Sequence, residues 1–187
     1  DRWCMTGVDT DGYRPYEEMV AQADACPTPV TVCADDPCQI MYSSGTTGAP
    51  KGIVLTHRIR AMYGLIFSAH FGIGADSVVM HSGSLVFNGA FVTLMPSWLQ
   101  GCTYLLDDHF SADGFIETVR RESVTHVMMV PSQIAAVLDS PKFCAESLAS
   151  LKMLCSVCAP LPNDHKQRLM ASIPSALYEL CGLTEGF

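Results

Sequence analysis

The chain has 187 residues, a length that suggests one domain, and a 49% hydrophobic content that allows a sizeable core. Its formal net charge of −8, with no basic run, argues against a nucleic-acid surface. Apolar stretches are broken by Gly, Asn, Ser or Pro before about 18 residues, so no membrane span is expected. Asp1-Arg2-Trp3 lacks the basic-then-apolar order of a signal peptide.

Residues 1–38 read as an irregular approach with one short helix at Tyr16-Glu17-Glu18-Met19-Val20, ended by Pro27 and Pro29. Asp35-Asp36-Pro37 makes a turn into the second region, residues 39–187. Short strands are predicted at 39–43 and 52–55. A helix follows at 57–70, with apolar residues at Ile59, Met62, Tyr63, Ile66 and Phe67. An alternation then sets in. Strands are predicted at 78–81, 103–106, 127–130, 153–157 and 176–180. Helices are predicted between them at 90–99, 112–121 with Ser111 as cap, 131–138 opened by Pro131, and 163–173. This pattern is α/β: a mostly parallel sheet with helices on both faces. Ligands in such sheets bind on the loops outside the carboxyl ends of the strands.

Nine cysteines, an odd count without a secretion signal, favour reduced thiols in a cytoplasmic protein. Cys155 and Cys158 form a lone CxxC, and zinc would need a second ligand pair that the sequence does not offer. Buried or half-buried thiols are the expectation.

The most informative segment is YSSGTTGAPKG, residues 42–52. It holds four Ser/Thr hydroxyls, three glycines and one lysine in eleven residues. Ile40-Met41 stands before it and Ile53-Val54-Leu55 after it. A small polar loop between apolar stretches offers backbone N–H groups, hydroxyls and one cation to a polyphosphate. It is not a Walker A loop, because Pro50-Lys51-Gly52 replaces the Gly-Lys-Ser/Thr that such a loop requires.

The segment resembles the phosphate loop of the adenylate-forming (AMP-binding) enzymes, which include acyl-CoA synthetases, peptide-synthetase adenylation domains and luciferase. Thr56-His57 closes it as in that family. Ala159-Pro160-Leu161 resembles the turn beside the adenine. Leu183-Thr184-Glu185 resembles the segment whose threonine meets the phosphate and whose glutamate holds magnesium. Residues 80–95 and the phrase MMVPSQ (128–133) look most like fatty-acyl-CoA ligases.

The resemblance implies ATP, Mg²⁺ and coenzyme A as co-substrates, with a small-molecule carboxylic acid as the group to be activated. It implies a nucleotide site of Ser43, Ser44, Gly45, Thr46, Thr47, Gly48, Lys51, Cys158, Ala159, Pro160, Glu179, Cys181, Gly182 and Thr184. Lys51, Thr184 and Glu185 would act on the phosphates, with Glu185 as the metal ligand. Phe87, Asn88 and Gly89 would lie near the acid. Core packing for Phe87 and a helix cap for Asn88 are the structural alternatives. His81 reads as a strand residue and His57 as a helix-start residue.

Two departures from the family pattern stand out. Cys181 occupies the place of a tyrosine that stacks on the adenine, and a thiol cannot replace that area. Cys158 stands where the family has a small glycine beside the base. The ribose-binding aspartate, the hinge and the small C-terminal domain with its lysine would all follow Phe187. The expectation is therefore a piece of the large N-terminal domain of a fatty-acyl-CoA synthetase, inactive by itself. A catalytically incomplete nucleotide-binding or interaction module and a phosphotransferase are the alternatives.

Overall fold

The alternation in the second region folds into a five-stranded parallel sheet. The structure, a computed structural model, describes residues 3–4, 14–26, 28–43, 48–173 and 176–184. The chain divides into two units, Asp1–Val32 and Cys33–Phe187. In the first, strands β1 (Trp3–Cys4) and β2 (Arg14–Pro15) pair in parallel. Helix α1 (Tyr16–Gln22) follows and buries none of its residues.

The second unit opens with an antiparallel hairpin of β3 (Pro37–Ser43) and β4 (Lys51–Thr56), separate from the main sheet. Ser43 lies opposite Lys51 and Met41 opposite Ile53. The two-residue period of a strand sends Met41 and Leu55 inward and leaves Ile40, Tyr42 and Val54 exposed. Helix α2 (His57–Phe71) starts at once. The Thr56 hydroxyl caps it by accepting from the Ile59 N–H at 3.3 Å. It stops at Gly72, whose φ of +69° is the left-handed conformation that closes many helices.

The main sheet contains β5 (Val78–Ser82), β6 (Thr103–Asp107), β7 (His126–Met129), β8 (Met153–Val157) and β9 (Ala176–Leu180). Their spatial order is β6-β5-β7-β8-β9, all parallel. The crossovers are α3 (Phe91–Gln100), α4 (Ala112–Glu122), α5 (Pro131–Asp139) and α6 (Asn163–Ser172).

Each face of the sheet has its own core. On one side Met80, Val127, Met129 and Leu154 meet Phe115, Ile116, Ile134, Val137 and Leu169 from α4, α5 and α6. On the other, Val79, Met128, Met153, Cys155 and Val157 meet Tyr63, Phe71 and Val92 from α2 and α3. Val127, Met128 and Met129 alternate between these cores, which is why β7 reads as a continuous apolar run.

Boundaries differ from expectation in two instructive places. The helix expected at 90–99 begins at Phe91, because Asn88–Ala90 forms a 3₁₀ turn. β7 begins one residue early, at His126, a polar residue that periodicity alone excludes from a buried strand. Its ring is satisfied inside: Nε2 meets the Phe71 carbonyl at 3.1 Å and Nδ1 meets the Thr125 hydroxyl at 2.7 Å. Ser111 caps α4 as expected, accepting from the Gly114 N–H at 3.2 Å.

The expectation for the thiols is corrected. Cys155 is buried and Cys102 half-buried, but Cys26, Cys33, Cys38, Cys144, Cys158 and Cys181 are exposed. The exposed ones lie outside the five strands of the main sheet, on the hairpin, in irregular segments and just past strand ends. Among the described residues no helix is long and apolar enough to cross a membrane.

Candidate functional site

Three adjoining cavities open beyond the carboxyl ends of β5, β7, β8 and β9. The first, about 170 Å³, is bordered by Cys158, Ala159, Pro160, Glu179, Cys181 and Gly182. The second, about 170 Å³, is bordered by Phe87, Asn88, Gly89, Cys158, Gly182 and Thr184. The third, about 260 Å³, is largely apolar, with Phe87, Met128, Val130, Val157 and Cys158 around it and His81 and Gln133 at its polar end. Cys158 borders all three, so they are consecutive parts of one crevice. Residues 87–89, 158–160 and 181–184 are far apart in sequence and meet there.

Topology explains the meeting. β8 ends at Val157 and β9 at Leu180, and these two residues are register partners. The chain therefore leaves both strands side by side. At Cys158 it turns with φ +75°, a conformation that favours glycine and is strained for other residues.

The turn that follows is fastened to β9. One Glu179 oxygen accepts from the Leu161 N–H at 3.1 Å, and the other lies 2.6 Å from Lys166 Nζ. The Lys166 ammonium and the Leu161 N–H hold the Glu179 carboxyl below the usual carboxylate range. Glu179 borders the first cavity and ties down the chain just after the Ala159-Pro160 turn.

The 87–89 wall of the crevice is held by a buried cation. Arg60 of α2 is only 3% exposed. It donates to Asn88 Oδ1 at 2.9 Å and to Gln39 Oε1 of β3 at 2.6 Å. Its guanidinium lies 3.9 Å from the centroid of the Phe91 ring. Asn88 Nδ2 in turn donates to the Tyr63 hydroxyl at 3.3 Å. Asn88 is therefore neither exposed nor a helix cap; α3 has Ala90 at that position. Phe87, one residue earlier, is 70% exposed at the crevice rather than packed in the core.

His81 ends up in β5, 9% exposed, facing the third cavity. Burial lowers its pKa, and the Ser84 backbone offsets only part of that. His57 is the first residue of α2. Gln133 bridges elements: its side chain accepts from the Val130 N–H at 3.1 Å and donates to the Ser82 carbonyl at 3.2 Å. Gln133, Met128 and Val130 were missed as lining residues, although the MMVPSQ phrase that contains them was visible.

Lys51 is exposed at the start of β4, opposite Ser43, and borders none of the three cavities. Gly48 has φ +103° in the same turn. Ser44, Gly45, Thr46 and Thr47 lie outside the described residues, as does Glu185. Among the described residues no cluster of three or more His, Cys, Asp or Glu is arranged to hold a metal ion.

A parallel sheet with helices on both faces and a crevice outside the carboxyl ends of its strands is the ligand-binding arrangement of open α/β proteins. The chain belongs to the AMP-binding enzyme family, whose model matches residues 3–187. It is 32% identical to 4-coumarate–CoA ligase 3 of Oryza sativa subsp. japonica over 90% of this chain and 30% of that protein. It is 31% identical to a feruloyl-CoA synthase of an Amycolatopsis species over 83% of this chain and 32% of that protein. ATP-bound MatB from Rhodopseudomonas palustris superposes with a TM-score of 0.81 at 27% identity, over 90% of this chain and 33% of that one. The chain thus spans about a third of the length of the relatives it matches.

Proposed function

We propose that this chain forms part of an enzyme that activates a carboxylic acid with ATP to an acyl-adenylate and then passes the acyl group to coenzyme A. The observation that carries the reading is the single crevice bordered by Cys158. It joins the 158–160 and 181–184 segments, assigned to the nucleotide, to the 87–89 wall, assigned to the acid.

On this reading the base lies in the first cavity, between the Ala159-Pro160 turn and Cys181. The acid's apolar part lies in the third, against Phe87, Met128, Val130 and Val157. The second cavity is where the carboxylate meets the α-phosphorus, beside Thr184 and Gly89. The protein supplies position and charge: it holds the acid in line and spreads phosphate charge over Lys51 and the hydroxyls of Ser43, Ser44, Thr46 and Thr47. Glu185 is the candidate ligand for magnesium, a hard cation that prefers carboxylate oxygens and would neutralise phosphate charge.

The relatives are named for 4-coumarate, ferulate and, in Cupriavidus necator, sulfoacetate. A fatty acid was the expectation from sequence. A third cavity of about 260 Å³, walled by Phe87 and Met128, favours a compact aromatic acid over a long chain.

The test is binding of acyl-sulfamoyl adenosines, stable mimics of an acyl-adenylate, to this chain. A coumaroyl mimic should bind more tightly than AMP, because it occupies both ends of the crevice, and more tightly than a palmitoyl mimic. Phe87→Ala should weaken the coumaroyl mimic and leave AMP unchanged. Failure of every mimic and of AMP to bind would overturn the assignment.

A further inference from the structure

Cys158 and Cys181 line the same cavity, each directly after a strand end. Val157 and Leu180 are the last register pair of β8 and β9, and each strand is followed by a cysteine. Cys158 and Cys181 are therefore the next residues out along two neighbouring parallel strands. Both thiols are free and exposed, and both border the first cavity.

Adjacent strands lie about 4.8 Å apart. A disulfide needs Cα atoms roughly 4.4–6.8 Å apart. The residues just before the two cysteines, Val157 and Leu180, are thus one strand spacing apart, within the range over which a disulfide forms.

The CxxC spacing suggests a different pair, Cys155 with Cys158, and the fold rules it out. Cys155 lies in the middle of β8, fully buried in the core against α2 and α3. Its thiol is pushed up to about 12 by burial, so it offers almost no thiolate near neutral pH. Cys158 leaves that core and turns outward with φ +75°. Its accessible neighbour at the crevice is Cys181, not Cys155.

We propose that Cys158 and Cys181 form a redox-active dithiol, and that its disulfide closes the base end of the crevice. The co-reactant is a low-molecular-weight disulfide. One protein thiolate attacks a sulfur of that molecule, forming a mixed disulfide and releasing one small thiol. The second protein thiolate then attacks the protein sulfur of the mixed disulfide and releases the second small thiol. Two electrons and two protons leave the protein dithiol, and one small disulfide becomes two thiols.

The bridge spans the cavity between the Ala159-Pro160 turn and Gly182 and occupies the space assigned to the base. A bond anchored at a strained, exposed turn is easily reduced, so the closure is reversible. The closing effect on nucleotide rests on the proposed function; formation of the bridge does not.

The experiment has two readouts on the full chain. The chain is equilibrated with oxidised and reduced glutathione over a range of ratios. Remaining thiols are alkylated, and peptides are sequenced by mass spectrometry without reduction. A Cys158–Cys181 link with the loss of two hydrogens is expected in wild type and in Cys155→Ala. It should be absent in Cys181→Ser and Cys158→Gly. ATP affinity, measured by calorimetry, should fall at least roughly tenfold in the oxidised wild type. Dithiothreitol should restore it, and in Cys181→Ser molecules free of a glutathione adduct at Cys158, oxidation should leave the affinity unchanged.

Stable mixed disulfides at both cysteines without a link, or a link to Cys155, would overturn the proposal. A link that leaves ATP affinity unchanged would overturn the closure. A reduced chain that binds no ATP would instead sink the nucleotide reading, with the cross-link result standing apart from it.

Discussion

Arg60 Nη1 donates to Asn88 Oδ1 at 2.9 Å in the interior, joining α2 to the 87–89 segment that walls the second cavity of the crevice. The same guanidinium donates to Gln39 of the β3–β4 hairpin. It forms no ion pair with a carboxylate among the described residues, and burial lowers its pKa. Amide oxygens and aromatic faces replace part of the water of this buried cation, while its buried Nε is without a hydrogen-bond partner among the described residues.

Arg60→Met keeps most of the volume and the contact with Phe91 but removes the donors to Asn88 and Gln39. The expected loss is on the order of 2–3 kcal/mol, because hydrogen bonds to charged groups are the stronger class and Asn88 loses a partner. Arg60→Lys should not recover it, since one ammonium cannot reproduce a planar fork that reaches two acceptors. Urea unfolding of the three proteins checks this. Equal midpoints would mean that the network holds nothing together.

A pH dependence follows from His126. It is 1% exposed, and burial lowers its pKa from the ordinary histidine value of 6.5. A base with a depressed folded-state pKa binds fewer protons folded than unfolded. Its contribution to stability is complete above pH 6.5 and is lost as the pH falls from there through the folded-state pKa. Wild type should therefore lose stability between pH 7 and pH 5. In His126→Gln, which can still donate to the Phe71 carbonyl, the slope over that window should be smaller. Unfolding midpoints at several pH values test it, and parallel slopes would assign the loss to other groups, among them His81.

Lys51 stands at the mouth of the hairpin turn, exposed and opposite Ser43. A charge-assisted contact to phosphate is the strongest the loop can offer. Lys51→Ala should weaken ATP about tenfold or more and leave thermal stability nearly unchanged, because the side chain is exposed. Equal ATP affinity in the two proteins would remove Lys51 from the site.

Cys158→Gly separates strain from function. A side chain at φ +75° is strained by roughly 1–3 kcal/mol, and glycine is free of that strain at an entropic cost of about 0.5–1 kcal/mol. The variant should be neutral or up to about 2 kcal/mol more stable. Cys158→Val, β-branched at the same φ, should be clearly less stable than wild type. A glycine variant that is less stable by more than about 1 kcal/mol would mean that the thiol makes a contact worth more than the strain.

The strand–helix alternation was legible because each β-strand is a short apolar run bounded by turn residues, and each crossover helix carries its own start signal. Ser111 and Pro131 are two such signals. The separation of the β3–β4 hairpin from the main sheet was not legible, because strand pairing is a long-range choice that local pattern does not encode. Nor was Arg60, whose role depends on Asn88, 28 positions away, folding back over it. The segments that meet at the crevice could be named from motifs. That one residue, Cys158, borders every part of it is a property of sheet register.

Cys181 gives the sharpest test of where the base lies. It is exposed, borders the first cavity, and adjoins the β9 residue that is paired with the end of β8. Cys181→Tyr should place a ring along a cavity of about 170 Å³, where the thiol leaves open space. Stacking between a base and an aromatic ring is worth on the order of 1–3 kcal/mol in nucleic-acid sites. ATP and AMP should therefore bind roughly tenfold more tightly, and pyrophosphate, which has no base, should be unaffected. The variant also removes one partner of the proposed bridge, so no intramolecular link to Cys158 at this cavity should form in it on oxidation. A gain for pyrophosphate equal to that for ATP would show a general change in the loop rather than stacking. No gain for any ligand, in a variant that folds normally, would place the base elsewhere in the crevice.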